Sequence, residues 1–276
     1  MKVKRGLNML KKRIFTYWVN APGSAMPAYI QLCMETWVKN IPELELVVIN
    51  HENLSEWIDD SQWIDSVRNI ERFKHVDYMF QSDIASQLIL KKHGGIFMDA
   101  DTIITKDVFE EIDIMDPDLL IAFGYPGTSS IHVAIQIALK PENRFLSAVS
   151  QESVKKLNEL SPSADAINWD YFSNSIYSNV YKDDTNKKYL QLLDRQKTGN
   201  ILESHYFIGL HPMEQYVRFY FQPHKVSIKE IMKKVKFGAI SLHNSYTPNE
   251  YKQLTREQVL EDKGSMLSKI LKHLLS

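Results

Sequence analysis

The sequence predicts an α/β chain, a mostly parallel sheet flanked by helices. Three observations carry that expectation. Within the first sixty residues, β-branched and aromatic runs alternate with segments of helical period. Near residue 94 a helical stretch ends in two glycines and passes at once into an apolar run. The length of 276 residues gives room for one large α/β domain, and no internal repeat or linker divides it, so a single domain over 1–276 is expected.

"RIFTYWV" (13–19) reads as the first strand, followed by a turn-rich "NAPGSAMP". Pro27 suits the first turn of a helix whose apolar face is Ile30, Met34, Trp37 and Val38. "LELVVIN" (44–50) is a second strand and "NLSEWI" begins another helical stretch. From Ser82 to His93 the period is helical again, with Ile84, Leu88 and one of Ile89 or Leu90 inward; Gly94 supplies a left-handed stop. This places Asp83 in the first helical turn, where a carboxylate can satisfy orphan amides. "IFMDADTII" is then a strand that ends or bends at its aspartates, and "LLIAFG" (119–124) a further one. Helices are expected over Pro141–Leu160 and Asp165–Tyr181; in the second, the aromatics and amides of Asn168–Asn179 either line a binding pocket or, the favoured reading, pack through Trp169, Phe172 and Ile176. A late strand over Lys236–Asn244 precedes a C-terminal amphipathic helix within 255–276.

Composition narrows the function. A net charge of -1 with 24% charged residues gives no basic excess, so nucleic acid is not an expected partner. Cys33 is the only cysteine, which excludes an internal disulfide and suits a reducing compartment. No apolar run approaches the ~18 residues of a membrane span, and no signal-peptide segment opens the chain, so a cytoplasmic protein is expected. Residues 1–12 form a basic extension; with Arg13 it carries six cationic residues and no acidic one before Thr16. Together with Lys269, Lys272 and His273 on the last helix, it makes peripheral contact with anionic lipid a possible partner. A solvated tail and a helix docked on its own core is the favoured alternative.

The chemistry concentrates in "KKHGGIFMDADTIITKD" (91–107). Asp99 and Asp101 are two apart, so on a regular strand both would point to one face. At the C-terminal end of a parallel strand that face opens into the crevice where α/β sheets hold ligands. Two carboxylates there repel unless a cation lies between them, and hard ions such as Mg²⁺ and Mn²⁺ take oxygen ligands while leaving positions for phosphate. Asp-x-Asp alone is frequent by chance; the preceding helix, glycine pair and apolar strand give it weight.

"FQSDIASQLILKKHGGIFMDADTIITKD" resembles the Asp-x-Asp region of retaining glycosyltransferases, a group that includes the large clostridial toxin glucosyltransferases, the yeast initiating α-1,6-mannosyltransferase and many bacterial capsular polysaccharide transferases. Residues 14–54 resemble the family's opening strand, helix and second strand more loosely. The resemblance implies a GT-A type, Rossmann-like fold and a metal-dependent transfer, with retention, from a nucleotide sugar to a glycan or lipid-linked glycan. It favours a UDP-sugar over a GDP-sugar and Mn²⁺ over Mg²⁺. Carried over by position, Asp101 is a metal ligand, Asp99 contacts the donor ribose and the metal, and Asp83 holds sugar hydroxyls. Trp18 falls where an aromatic stacks on the base, and Ser82 where further donor contacts are made. In "AISLHNSYTP" the resemblance makes His243 a metal or diphosphate contact, with Ser245 and Tyr246 closing over the donor. One position departs from the pattern: the arginine that the family sets three residues after the Ser-Asp aspartate is here Ser86. Lys106 or an arginine of the second half is a candidate to replace it. Two other classes fit parts of the pattern. A Mg²⁺-dependent Asp-x-Asp phosphatase would need a Thr or Val where Ile103 stands; a non-catalytic nucleotide-sugar or carbohydrate-binding relative is compatible with Ser86.

Overall fold

The structure, a computed structural model, describes residues 12–68, 77–112, 115–125, 127–128, 130–159, 168 and 170–276. The basic extension before Lys12, and Trp169, lie outside them. In chain order come β1 (Arg13–Tyr17), α1 (Ala28–Asn40), β2 (Glu45–Ile49), α2 (Leu54–Trp57), α3 (Ser61–Arg68), α4 (Asp77–His93), β3 (Gly95–Met98), β4 (Thr102–Ile104) and α5 (Phe109–Ile112). The middle of the chain forms β5 (Leu120–Gly124), β6 (Ile131–Ala138), α6 (Arg144–Glu159), α7 (Asn174–Lys182), α8 (Asp184–Lys187), β7 (Leu190–Asp194) and α9 (Arg195–Thr198). A 3₁₀ turn (Glu203–His205), α10 (Pro212–Phe221), α11 (Ile228–Lys234), β8 (Ala239–Ser241), a second 3₁₀ turn (Asn244–Tyr246), α12 (Asn249–Lys252), α13 (Arg256–Glu261) and α14 (Met266–Leu275) complete it.

These elements form two compact units, each stitched from three segments. The first (Met1–Val19, Leu44–Met98, Asp116–Leu193) holds a six-stranded sheet ordered β2-β1-β3-β6-β5-β7. β1 runs parallel to β2 and β3; β6 runs antiparallel to β3 and β5, so β2, β1, β3 and β5 share one direction. Helix α4 packs on β1, β3 and β6, and α7 on β6. The core gathers Phe15, Phe80, Ile84, Phe97, Phe145 and Phe172. Gly94 closes α4 at φ +65°, with its amide bonded to the Leu90 carbonyl at 2.9 Å; a Cβ there would meet the Ala138 carbonyl oxygen at 3.0 Å.

The second unit (Asn20–Glu43, Asp99–Met115, Asp194–Ser276) is mostly helical around the two-stranded ladder β4-β8. The β4 edge away from β8 is satisfied by side chains of α1. Trp37 Nε1 donates to the Thr102 carbonyl at 2.6 Å, Asn40 Nδ2 to the Ile104 carbonyl at 3.0 Å, and the Ile104 amide to Thr36 Oγ1 at 2.9 Å. A three-residue strand is thereby hydrogen-bonded on both edges, which burial demands.

Several expectations are corrected. The buried face of α1 is Tyr29, Ile30, Leu32, Cys33, Thr36 and Trp37, while Val38 is 58% exposed. Helix α4 begins at Asp77, so Asp83 is its seventh residue and cannot cap its first turn. The aspartates do not share a regular strand: β3 stops at Met98, the Thr102 amide turns back to the Asp99 carbonyl at 3.0 Å, and β4 begins a different sheet. The last helix is two, because Asp262–Ser265 breaks the run and Ser265 caps α14. Met266, Leu267, Ile270, Leu271 and Leu274 of α14 are buried within their own unit, beside α1, α10, α11 and α13. That is the docked-helix alternative. No helix among the described residues is long and apolar enough to cross a membrane.

Candidate functional site

In the second unit the β4-β8 ladder joins the two segments that the motifs single out. Thr102 pairs with Ser241, so Asp101 falls opposite Leu242 at the point where both strands end. The Leu242 amide donates to the Asp101 carbonyl at 3.3 Å, and the Asn244 amide to Asp101 Oδ2 at 2.8 Å. Asp101 is 9% exposed, and burial pushes its carboxyl up to about 6 against the stabilising Asn244 amide. The 243–247 segment is fixed from behind. Tyr29 donates to Asn244 Oδ1 at 2.5 Å, and the Tyr216 hydroxyl lies 3.0 Å from Thr247 Oγ1. The His243 ring packs in a triangle with Tyr216 and Tyr246, its centroid 5.4 and 5.2 Å from theirs and those two 6.0 Å apart. Burial, reinforced by the positive field of Arg195, lowers His243 to about 4, so its imidazole is neutral near pH 7. Ser245 is exposed and Tyr246 half-buried.

Among the described residues, no group of three or more His, Cys, Asp or Glu side chains is placed to hold a metal ion. The described residues therefore offer no closed cage. The donors present, carboxylate oxygen from Asp101 with Asp99 two residues away, fit a hard cation that takes its other ligands from phosphate and water. Tyr29 is a site residue that sequence reasoning missed; its only signal was an aromatic after Pro27 in a run that read as core.

In the first unit, Trp18 sits at the end of β1, half-buried, with its amide bonded to the Ile49 carbonyl at 2.9 Å. Ser82 and Asp83 lie on α4. The Asp83 carboxyl takes a hydrogen bond from Ser173, yet its Oδ2 is shut off from solvent without a partner, and burial raises the group to about 8. A carboxylate oxygen enclosed and unpaired is costly where nothing binds it.

Ser86 is 2% exposed and belongs to a buried polar chain. Its Oγ donates to the Asp83 carbonyl at 2.8 Å and accepts from Gln136 Nε2 at 3.0 Å; Tyr177 donates to Gln136 Oε1. The candidate substitutes for the missing arginine are already engaged: Lys106 pairs with Glu111, and Arg195 Nε donates to Asn200 Oδ1 at 3.1 Å. His205, His211 and His224 serve local structure, bonding the Gln196 carbonyl, the Met213 amide and the Phe219 carbonyl.

The family profile of capsular polysaccharide synthesis proteins matches residues 2–151. No curated protein matches the chain. Among solved structures, it is similar to the glycosyltransferase GlyE of Streptococcus pneumoniae TIGR4, at 11% identity and TM-score 0.49, over 96% of this chain and 60% of that one. An active-site mutant of LgtC aligns at 9% identity and TM-score 0.46, over 95% of each chain. The UDP-bound glycosyltransferase domain from the YGT toxin aligns at 8% identity and TM-score 0.46, over 67% of this chain and 80% of its own. The chain thus spans less than two thirds of GlyE. The profile match is of a different kind: it runs over more than half of the 276 residues and takes in α4, the glycine pair and both aspartates. On that match the chain belongs to the capsular polysaccharide synthesis protein family.

Proposed function

We propose that the chain is a glycosyltransferase of cell-surface polysaccharide assembly. It moves a sugar, with retention, from a nucleotide sugar, UDP-linked in preference to GDP-linked, to a hydroxyl of a glycan or lipid-linked oligosaccharide at the cytoplasmic face of the membrane. One observation carries this reading. The Asp-x-Asp segment and the His-Asn-Ser-Tyr segment, noticed separately in sequence, meet through the hydrogen bond from Asn244 to Asp101. Membership of a capsular polysaccharide synthesis family supports the biological setting.

By the family resemblance Asp99, Asp101 and His243 are the residues that would hold Mn²⁺ or Mg²⁺; their side chains do not converge as a three-ligand group in the ligand-free chain, so the donor diphosphate would have to complete the shell. A cation there supplies charge neutralisation for the departing diphosphate. The chain's own residues orient and enclose. The Asn244 amide holds the Asp101 carboxylate while Tyr29 fixes the Asn244 side chain, neutral His243 offers a lone pair, and Ser245 and Tyr246 flank the donor. The roles of Trp18, Ser82 and Asp83 toward base and sugar rest on the family resemblance alone. In the transfer the acceptor hydroxyl oxygen bonds to the anomeric carbon as the bond from that carbon to the diphosphate oxygen breaks. The hydroxyl proton passes to the departing phosphate, so no protein general base is assigned.

Release of nucleoside diphosphate across a panel of UDP- and GDP-sugars, with and without Mn²⁺, tests this. Metal-dependent turnover of a UDP-sugar is expected. Hydrolysis of a phosphate monoester with no donor used would place the chain among phosphatases, and donor binding without turnover among binding proteins.

A further inference from the structure

The end of β4, helix α11 and helix α14 border an open cavity of about 480 Å³ that lies wholly in the second unit and that no motif announces. Its size is that of small-molecule sites, ~300–1,000 Å³. Met232, Val235 and Leu274 give it an apolar side. Lys106, Lys233, Lys236 and His273 supply nitrogen, with Thr105 beside them. The backbone around it is fixed. The Thr105 amide donates to the Gly238 carbonyl at 2.8 Å, and the Lys236 amide to the Thr198 carbonyl at 2.8 Å. Gly238, at φ +93°, lets the Lys106 stem cross it, since a Cβ there would meet Lys106 Cγ at 2.7 Å.

The charge around this cavity is one-sided. Residues 225–236 hold five lysines and a single acid, Glu230. Lys234 is spent on Tyr206, its Nζ 5.5 Å from the ring centroid. Lys106 pairs with Glu111 where both are exposed, and such a pair is weak. Lys233 and Lys236 form no ion pair among the described residues. Complementing a helix dipole accounts for Lys233 and His273, which sit in the last turns of α11 and α14. It does not account for Lys236, which lies beyond α11, or for Lys106, which follows β4. We propose that this cavity binds a phosphate group carried on an aliphatic chain, the head of a phosphorylated lipid. The lysines hold the phosphate as point charges, and Met232, Val235 and Leu274 cover the first methylenes. The inference does not rest on the transfer reaction.

The test is calorimetric titration of the full chain with n-octyl phosphate, inorganic phosphate and n-octanol, with a melting curve for each variant. Octyl phosphate is expected to bind about 10-fold or more tighter than either fragment, because it engages both sides of the cavity. Lys233→Gln/Lys236→Gln keeps much of both stems and removes both charges; octyl phosphate should weaken about 10-fold or more. Met232→Gln should weaken octyl phosphate and leave inorganic phosphate as it was. Absence of octyl phosphate binding would overturn the proposal. So would parent-like affinity in the folded double variant, which would place the phosphate elsewhere on the chain. Inorganic phosphate binding as tightly as octyl phosphate would overturn the lipid and leave a site for free phosphate. Octanol binding as tightly would overturn the anion.

Discussion

Ser86 donates one hydrogen bond and accepts another inside a buried chain that runs from the Asp83 carbonyl through Gln136 to Tyr177. Its position therefore belongs to the interior of the first unit and not to a phosphate-facing surface. Ser86→Ala removes one of the two acceptors of Gln136 Nε2, the Val133 carbonyl at 3.0 Å remaining, and should cost about 1 kcal/mol in urea denaturation. Ser86→Arg puts a charge into the same enclosed space. It should destabilise by about 3 kcal/mol or more without raising donor turnover, which activity and melting curves together would show. Asp101 tests the opposite property. Asp101→Asn retains an oxygen for the Asn244 amide, so the melting temperature should hold while metal-dependent donor turnover falls by about 10²-fold or more. An active Asp101→Asn enzyme would remove this residue from the chemistry.

Strand β4 is three residues long and survives because α1 serves as its second edge. Trp37→Phe keeps most of the buried ring but leaves the Thr102 carbonyl unpaired. A loss of about 1–3 kcal/mol is expected, with a fall in turnover, since Thr102 follows Asp101 directly. Equal turnover at unchanged stability would show that the edge bonds are dispensable. At this scale the sequence was most readable where period and punctuation agreed. β1, β2, β3 and the end of α4 were legible from alternating runs and Gly94. Strand β6 went unread although Ile131, Val133, Ile135 and Ile137 alternate with His132, Ala134, Gln136 and Ala138; the two alanines blur the contrast between its faces, and no turn signal as plain as Gly94 marks its start. The start of α4 was missed because Asp77 to Gln81 has no stop or cap that separates it from a loop. The turn between Asp99 and Thr102 was missed because apolar residues on both sides made two short strands read as one.

At the scale of the whole chain, three enclosed carboxyls among the described residues have raised values: Asp101 about 6, Glu203 about 7 and Asp83 about 8. In an unfolded chain they ionise near ~4. Between those limits the folded protein holds protons that the unfolded chain has released, so stability falls as pH rises from about 4 to about 8 and then levels. Asp83 is the last to titrate. Denaturation midpoints of the ligand-free protein should therefore drop between pH 7 and 8, and Asp83→Asn should flatten that interval. A parent protein with no drop there would contradict the burial assigned to Asp83. The candidate site was half legible before the structure. Asp99 and Asp101 announce themselves by residue type and spacing, whereas His243 stands out only through the family resemblance. Tyr29 and Arg195 act through packing between distant segments, and no local pattern records that.

The Asp101–Asn244 hydrogen bond joins residues 143 apart. On a ribosome working at ~5–20 residues per second, Asp101 emerges on the order of ten seconds before its partner exists. Until then the aspartates are on a loop with no second strand to define them, and α1 has nothing to edge. Long-range pairing of this kind is slow to form and late to be rewarded. A chain halted between Asp101 and β8 would carry the whole Asp-x-Asp motif without the Asn244 amide that fixes its second carboxylate.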